Sequence, residues 1–522
     1  MTFVDAASGL KSVVRMFAAS AEAGRHLFLG GPRLADVLKF CCYLQDKQCL
    51  ATNLRGAYLV GIDGVPARGD LRIEKNVIAC EPRSQEALAL SVQWPVGPRG
   101  ATQLQTTRLP PRDEPYNLHI ELARHRLMAV SIKREEWGLY DYPGLEETNA
   151  RLEESRALFV AALEKAEDPA EAARLADQSL ALAIEASEEM CRFHASIFLN
   201  RRRQAGGLTG DRLGVCSAAT TPRETLLPEI GQVLDFVRVP FIWRDIQPSE
   251  KAPDYDRIDA WLAACREAHL SLRGGPLLNF GIQFVPDWMY AWENDYEAIV
   301  GFARQHVQRT VQRYAGQIDT WVVASGLHAE TVFPFTFEQI IDLTRLAVNV
   351  TKQAAPRCRV VLDLMQPWGE YFVRSQRTAP PLLYAEMAVQ SGIPFDAFGV
   401  QLVFGLDSDG YHLRDMLQIS SLIDRLASLG KPLHITAAAV PSDAAVVGCP
   451  NCTWDEQGQA AWLGLLGEIA LSKPYVESVC FETLSDRCCT GVPTGGLVRA
   501  DGSAKPALAR LAELRKAFAA GD

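Results

Sequence analysis

The chain has 522 residues, of which 48% are hydrophobic and 22% charged, and its formal net charge is −10. This length exceeds what one hydrophobic core serves, so we expect about two or three domains. The acidic balance disfavours nucleic acid and anionic membrane surfaces as partners, because both require basic patches. The N-terminus has neither the basic nor the apolar segment of a signal peptide, and no apolar run approaches the roughly 20 residues that span a bilayer. We therefore expect a cytoplasmic protein without a membrane partner, and its oligomeric state is not predicted.

The first 143 residues are typical of a β-rich domain. Short apolar runs at 57–62, 87–92 and 116–122 are separated by turn residues such as Asp63-Gly64, and this spacing predicts short strands. Many short strands with such turns indicate a β-sandwich-like domain. Carbohydrate-binding modules often have this shape, but sandwiches serve many functions, so the shape alone does not predict a ligand.

Residues 144–204 predict an α-helical hairpin that links two domains. The segment is rich in Ala, Glu, Leu and Arg, and apolar residues recur with helical spacing over 153–165 and 170–200. Asp168-Pro169 interrupts this pattern, and a proline suits the first position of a new helix.

From residue 211 onward, short apolar strands alternate with amphipathic helices. Eight such units over roughly 300 residues are the pattern of an α/β fold, the (β/α)8 TIM barrel. In such a barrel, catalytic and binding residues stand at the C-terminal ends of the strands. The predicted strands are 213–216, 236–241, 271–275, 320–323, 359–363, 397–402, 433–436 and 478–481.

Three segments of this part of the chain carry recognisable motifs. They are the segment 236–250 (FVRVPFIWRDIQPSE), the segment 313–318 followed by Trp321, and the segment 429–436. Together they resemble glycoside hydrolase family 10, the xylanase family, over residues 211–515. The resemblance implies a (β/α)8 barrel that hydrolyses β-1,4-xylan with retention, using two glutamates.

Both catalytic glutamates of that family are replaced in this chain. The family motif Trp-Asp-Val-Val-Asn-Glu ends in the acid/base, and the matching position here is Gly326. The motif Ile-Thr-Glu-Leu-Asp contains the nucleophile, and Ala437 stands at that position. A retaining mechanism needs an acid and an attacking carboxylate about 5 Å apart. Our first hypothesis is therefore a pseudoenzyme that binds a carbohydrate or another small molecule at the C-terminal face of the barrel.

Other carboxylates near strand ends keep an alternative open. Glu330 follows the fourth strand and Glu482 follows the eighth. As relocated catalytic groups they would make an active glycoside hydrolase, provided that their carboxyl groups lie within about 10 Å of each other. A third hypothesis is an intracellular scaffold whose sandwich and barrel bind other proteins.

Aromatic residues supply candidate ligand contacts, because an apolar ring face stacks on a sugar. The alternative for each ring is that it packs a loop against the barrel. Gln401 is retained from the sixth-strand motif of the family and joins the set. The candidate ligand-binding residues are Trp243, Trp288, Trp368, Gln401 and Trp454.

The cysteines form one further constellation. Cys449 and Cys452 make a Cys-x2-Cys pair after strand seven, and Cys488-Cys489 follow strand eight. Neighbouring loops of a barrel meet at one face, and four thiolates bind zinc tetrahedrally. Structural zinc, a disulfide and free thiols are all left open; apart from zinc, we expect no cofactor.

Overall fold

The computed structural model describes residues 37–43, 54, 56–84, 86–96, 100–140, 142–206, 208, 210–217, 230–406, 408–445, 453–488 and 491–518. Its N-terminal part contains β1 (Leu38–Cys41), β2 (Tyr58–Val60), β3 (Pro66–Ala67), β4 (Gly69–Glu74), β5 (Val77–Pro82), β6 (Ala89–Val96), β7 (Gly100–Gln105) and β8 (Tyr116–Asn117). These strands form two four-stranded sheets, in the orders β4-β5-β1-β8 and β3-β2-β6-β7. The edge strand β4 alternates half-buried and exposed residues, whereas the interior strand β6 buries most of its residues. Both sheets contribute to one hydrophobic core.

A long helix occupies part of the region that the sequence predicts as a strand at 116–122. Only Tyr116 and Asn117 are extended, and helix α1 (Leu118–Glu136) begins directly after them. The side chain of Asn117 accepts a hydrogen bond from the backbone N–H of His119 and so caps the helix. Leu118 and Leu122 lie one turn apart on its buried face. The strand prediction is therefore wrong after residue 117.

Two further helices are α2 (Glu146–Glu164) and α3 (Pro169–Gln204), and they confirm the predicted helical pair. Asp168 caps α3 by accepting from the backbone N–H of Glu171, and Pro169 is its first residue. The N-terminal half of α3 joins the core of the two sheets, and its C-terminal half joins the core of the following domain. The helices thus contact both units, and the limits 1–143, 144–204 and 211–515 stay predictions.

The remaining strands close into a barrel with eight parallel pairings. All eight predicted strands are present, which confirms the (β/α)8 fold. The strands are β9 (Leu213–Cys216), β10 (Phe236–Val239), β11 (Ser271–Gly274), β12 (Thr320–Ser325), β13 (Arg359–Leu364), β14 (Ala397–Val403), β15 (Leu433–Ala439) and β16 (Val476–Phe481). The helices are α4 (Trp243–Ile246), α5 (Asp256–Glu267), α6 (Tyr296–Arg313), α7 (Phe337–Ala354), α8 (Pro381–Gln390), α9 (Met416–Ala427), α10 (Glu456–Ser472) and α11 (Pro506–Phe518).

The strand ends define the face on which a functional site can form. Because the strands are parallel, their C-terminal ends open onto the same side of the barrel. Ser325, Val403, Ala439 and Phe481 mark this side as the last residues of their strands. Among the helices that the structure describes, none is long and apolar enough to cross a membrane.

Candidate functional site

A buried carboxylate ties four barrel strands together just below the open face. Asp363, near the end of β13, is 1% exposed. Its Oδ2 accepts hydrogen bonds from Ser325 Oγ at 2.7 Å and Gln401 Nε2 at 2.5 Å. Its Oδ1 accepts from the hydroxyl of Thr436. With both oxygens engaged, Asp363 acts as a cross-strand tie rather than as an available nucleophile.

Gly326 stands at the position that the family motif assigns to its acid/base glutamate, and its backbone conformation disfavours a residue with a side chain. It follows β12 with a φ of +68°, in the left-handed region that favours glycine. A Cβ atom at this position would lie 2.5 Å from Sδ of Met365. Any side chain here therefore requires both backbone strain and a shift of Met365.

The position of the family nucleophile is closed as well. Ala437, on β15, is 2% exposed. It packs in a small apolar cluster with Val403, Ala439 and Val492. The two family positions thus offer neither a proton donor nor an attacking group, and both are integrated into local packing.

Glu482 is a half-buried glutamate at the barrel mouth. It directly follows β16, and its backbone N–H donates to the carbonyl of Ala438 at 3.0 Å. Its Oε2 is buried without a hydrogen-bond partner among the described residues. Burial raises the pKa of its carboxyl group, while the nearby Arg238 lowers it in part. A carboxyl group in such surroundings holds its proton to higher pH than an exposed one.

Glu330 lies on the surface beside the same face, and Tyr411 connects it with Glu482. Tyr411 hydrogen-bonds Gln366, and its pKa is raised first by burial and then by the charges of Glu482 and Glu330. The structure therefore brings both predicted substitutes within electrostatic range of one phenol hydroxyl. Their roles in catalysis stay predictions.

A cavity of about 440 Å³ opens at the ends of β11 to β14. Its walls combine apolar side chains, among them Ile282 and Phe284, with amide, phenol and charged groups, and Gly326 is one of the lining residues. Gln366 has a φ of +44°, a strained conformation for a residue with a side chain and a frequent feature of functional sites. The polar lining residues are Asn279, Gln283, Glu330, Thr331, Gln366, Tyr371, Arg374, Ser375, Arg377, Thr378, Asp409 and Tyr411. Apart from Glu330, the sequence predictions omit them, because no spacing motif marks single amides and phenols in loops.

Two of the predicted tryptophan contacts are interior packing residues. Trp243 is 3% exposed and stacks on His306, with ring centroids 4.4 Å apart. Trp454 is 1% exposed and lies edge-on to Trp462. Neither ring presents a free face to a ligand, because each fills space against a barrel helix.

The other predicted contacts are dispersed. Trp288 is half-buried, donates through Nε1 to the carbonyl of Gln247 at 3.0 Å, and lines a separate cavity. Trp368 is half-buried beneath Arg414, whose guanidinium carbon lies 5.0 Å from the ring centroid. Neither lines the cavity at the ends of β11 to β14. Gln401 is held by Asp363, so the predicted set does not form one cleft.

Most of the predicted zinc ligands lie outside the residues that the structure describes. Cys449, Cys452 and Cys489 lie outside the described residues, and Cys488 ends the short turn Asp486–Cys488. Within the described part of the chain, no group of three or more His, Cys, Asp or Glu side chains is arranged to hold a metal ion. Structural zinc stays a prediction.

The fold and this face define the class: a (β/α)8-barrel protein with a polar cavity at the C-terminal strand ends. Residues 241–487 match the model of glycosyl hydrolase family 10. The domain is therefore a family-10-like barrel, as its motifs predict. No curated protein matches the chain.

Solved structures of similar fold include three bacterial proteins. Xylanase 10B from Thermotoga petrophila RKU-1, in complex with xylobiose, has 17% identity and a TM-score of 0.46, covering 61% of this chain and 97% of that chain. Native xylanase 10B from Thermotoga maritima has 16% identity and a TM-score of 0.45, covering 61% and 98%. GH10 from Paenibacillus barcinonensis has 19% identity and a TM-score of 0.47, covering 61% and 98%.

Proposed function

We propose that this protein binds a carbohydrate in the cavity at the ends of β11 to β14 and does not cleave it by the retaining mechanism of family 10. The observation that carries this proposal is the backbone of Gly326. Its left-handed conformation and the close Met365 disfavour any side chain at this position, including that of an acid/base residue. Positioning alone supplies neither a proton nor a nucleophile, so the two-carboxylate route is lost rather than slowed.

The lining of the cavity supports a hydroxyl-rich ligand. Asn279, Gln366 and Tyr411 offer amide and hydroxyl groups, and Arg374 forms an ion pair with Asp409. Amide and hydroxyl groups of this kind exchange hydrogen bonds with sugar hydroxyls. The match to the family 10 model supports a glycan as the ligand.

Binding and turnover can be measured on the same preparation. We expect isothermal titration calorimetry to detect xylohexaose binding, while assays of reducing sugar show no release from xylan. Gln366→Ala should weaken binding at least about tenfold, and the exposed Gln312→Ala on α6 should not. Hydrolysis of xylan at ordinary enzymatic rates would overturn the non-catalytic half of the proposal. Equal binding by wild type and Gln366→Ala would overturn the placement of the ligand.

A second candidate function is glycoside hydrolysis by relocated carboxylates. It is favoured by Glu482, whose raised pKa suits a proton donor, and by Glu330 near the same Tyr411. This mechanism predicts release of reducing sugar that disappears in Glu482→Gln and persists in the exposed surface variant Glu297→Gln. No release from a panel of β-linked glycans would remove this candidate. Cytoplasmic location and the absence of nucleic-acid and membrane partners stay predictions.

A further inference from the structure

A second cavity lies where the N-terminal sheets meet the barrel. It has a volume of about 280 Å³, and its walls come from both units. Helices α1 and α9, the sheet that contains β2 and β7, and the loops after β13 and before α8 enclose it. Much of the lining is apolar, including Leu104, Leu122, Ala129, Trp368, Leu417 and Leu422. This cavity is separate from the one at the ends of β11 to β14.

Two of the three guanidinium groups that line this cavity are neutralised by carboxylates behind its wall. Arg126 forms an ion pair with Asp415. Arg414 forms an ion pair with Glu370 and donates to the hydroxyl of Tyr58 at 3.0 Å. These two arginines therefore serve the packing of the interface.

Arg425 differs from them, because it has no ion pair or side-chain hydrogen bond with any described residue. Asp63 and Glu386 act on it electrostatically from beyond ion-pair distance. Burial lowers the pKa of its guanidinium, which means that desolvation of the charge is not fully compensated. No Asp or Glu is among the described residues that line the cavity.

The other titratable group of the lining is uncharged at neutral pH. Burial and the neighbouring Arg126 lower the pKa of His125 to about 4. Its Nε2 lies 2.8 Å from Nε2 of Gln105, with which it shares a hydrogen bond. Arg425 is therefore the one lining cation, among the described residues, that is left to meet a ligand.

We propose that this cavity binds a small organic monoanion, an apolar body carrying one carboxylate, with the carboxylate on Arg425. A guanidinium fork in a partly desolvated site recognises a carboxylate through two parallel hydrogen bonds. The apolar side chains accept the body of the ligand by the hydrophobic effect. A dianion is disfavoured, because Arg126 and Arg414 already have their counter-ions.

The test uses the full chain and three probes with the same six-carbon body. Hexanoate, 1-hexanol and hexylamine share a six-carbon skeleton and carry an anionic carboxylate, a neutral hydroxyl and a cationic ammonium head group, respectively. We expect saturable hexanoate binding in calorimetry, binding of 1-hexanol at least about tenfold weaker, and no binding of hexylamine. Because the walls come from both units, hexanoate should also raise the thermal midpoint of the protein.

Variants locate the site. Arg425→Gln should reduce hexanoate affinity at least about tenfold and leave 1-hexanol binding unchanged. The exposed Arg357→Gln serves as the matched control and should bind like wild type. Ala129→Phe, which fills the cavity from α1, should abolish binding of both probes, and thermal unfolding checks that each variant is folded. Equal hexanoate affinity in wild type and Arg425→Gln, or no saturable binding by wild type at about 20 mM hexanoate, would overturn the proposal.

Discussion

The contact between the N-terminal unit and the barrel should depend strongly on one buried ion pair. Arg126 on α1 pairs with Asp415 at the start of α9, and their side chains are 5% and 0% exposed. Arg126 Nη1 lies 3.2 Å from Asp415 Oδ1, and Nη2 donates to Oδ2. Arg126 Nη1 also lies 3.4 Å from Ser187 Oγ on α3. The perturbation is Arg126→Leu, which removes the charge and keeps an apolar stem.

The expected loss in the free energy of unfolding follows from the buried Asp415 carboxylate, which Arg126→Leu leaves without its ion-pair partner. Removing one partner of a buried ion pair destabilises proteins by about 3–5 kcal/mol, because the other charge remains buried and unpaired. Asp415 Oδ1 also accepts from the backbone N–H groups of Leu417 at 3.0 Å and Gln418 at 3.1 Å. These two bonds partly compensate the stranded carboxylate. We therefore expect a loss of about 3 kcal/mol, at the lower end of that range.

A double-mutant cycle separates the pair from other effects. Asp415→Asn keeps the side-chain oxygen that caps α9 but removes the charge. In the double variant no buried charge is stranded, so its loss should be smaller than the sum of the single losses by more than about 1 kcal/mol. The free energy of unfolding is measured by urea denaturation, followed by both circular dichroism and tryptophan fluorescence.

A surface pair provides the control. Arg345 and Asp342 lie 2.7 Å apart on α7, with side chains 40% and 61% exposed. Such pairs contribute little, so Arg345→Leu should change the free energy of unfolding by less than about 1 kcal/mol. The reasoning fails if Arg126→Leu costs less than about 1 kcal/mol, or if the single losses in the cycle add within about 0.5 kcal/mol.

Three further predictions concern the site and the buried ionisable groups. Gly326→Ala should lower the free energy of unfolding by about 1–2 kcal/mol, because Gly326 has a φ of +68°. The same substitution should also destabilise a protein that already carries Met365→Ala. No destabilisation in that background would show that only the contact with the sulfur of Met365 mattered. Burial lowers the pKa of His306 from 6.5 to about 3, so between these pH values the unfolded chain binds a proton that the folded chain does not, and stability falls as pH drops by up to about 1.4 kcal/mol per pH unit. His306→Gln should reduce this dependence of stability on pH, as measured by thermal unfolding across that range. An unchanged dependence would contradict the assignment to His306. Burial raises the pKa of Glu482 above 4.5, so its carboxyl group lowers stability progressively as pH rises from about 4.5 to the raised value. Glu482→Gln should therefore match wild type near about pH 4 and be more stable than wild type near about pH 7. Equal stability of the two proteins at both pH values would refute the shift.

The barrel was predictable because its signals are local. Each strand is a short apolar run, and each long helix has apolar residues at helical spacing. A window of about ten residues is therefore enough to tell a strand from a helix. Residues 213–216 were predicted as a strand and form β9 with the same bounds. The strand prediction for residues 116–122 was wrong because the apolar residues at 116, 118, 120 and 122 also fit the two-residue period of a strand. In the structure, the side chain of Asn117 caps a helix, and Leu118 and Leu122 are both buried on it.

The candidate site was predictable only where a motif marks a position. Gly326 and Ala437 were identified by comparison with the family motifs, and the structure adds that the backbone at Gly326 disfavours a side chain. The tie around Asp363 depends on side chains from four strands far apart in the chain. No periodicity or spacing indicates which of the polar residues on those strands meet.

The sequence by itself determined the order of strands and helices and the barrel class, since these depend on residue types and short-range spacing; the assignment of Gly326 and Ala437 to the family glutamate positions stays a prediction. Only the tertiary structure decided which groups share a cavity, that Trp243 and Trp454 are buried, and that Arg425 lines a cavity between two units without an ion pair to any described residue. These features depend on contacts between residues that lie tens to hundreds of positions apart in the chain. The burial and the charge state of a side chain are set by such neighbours, which the local sequence pattern does not identify.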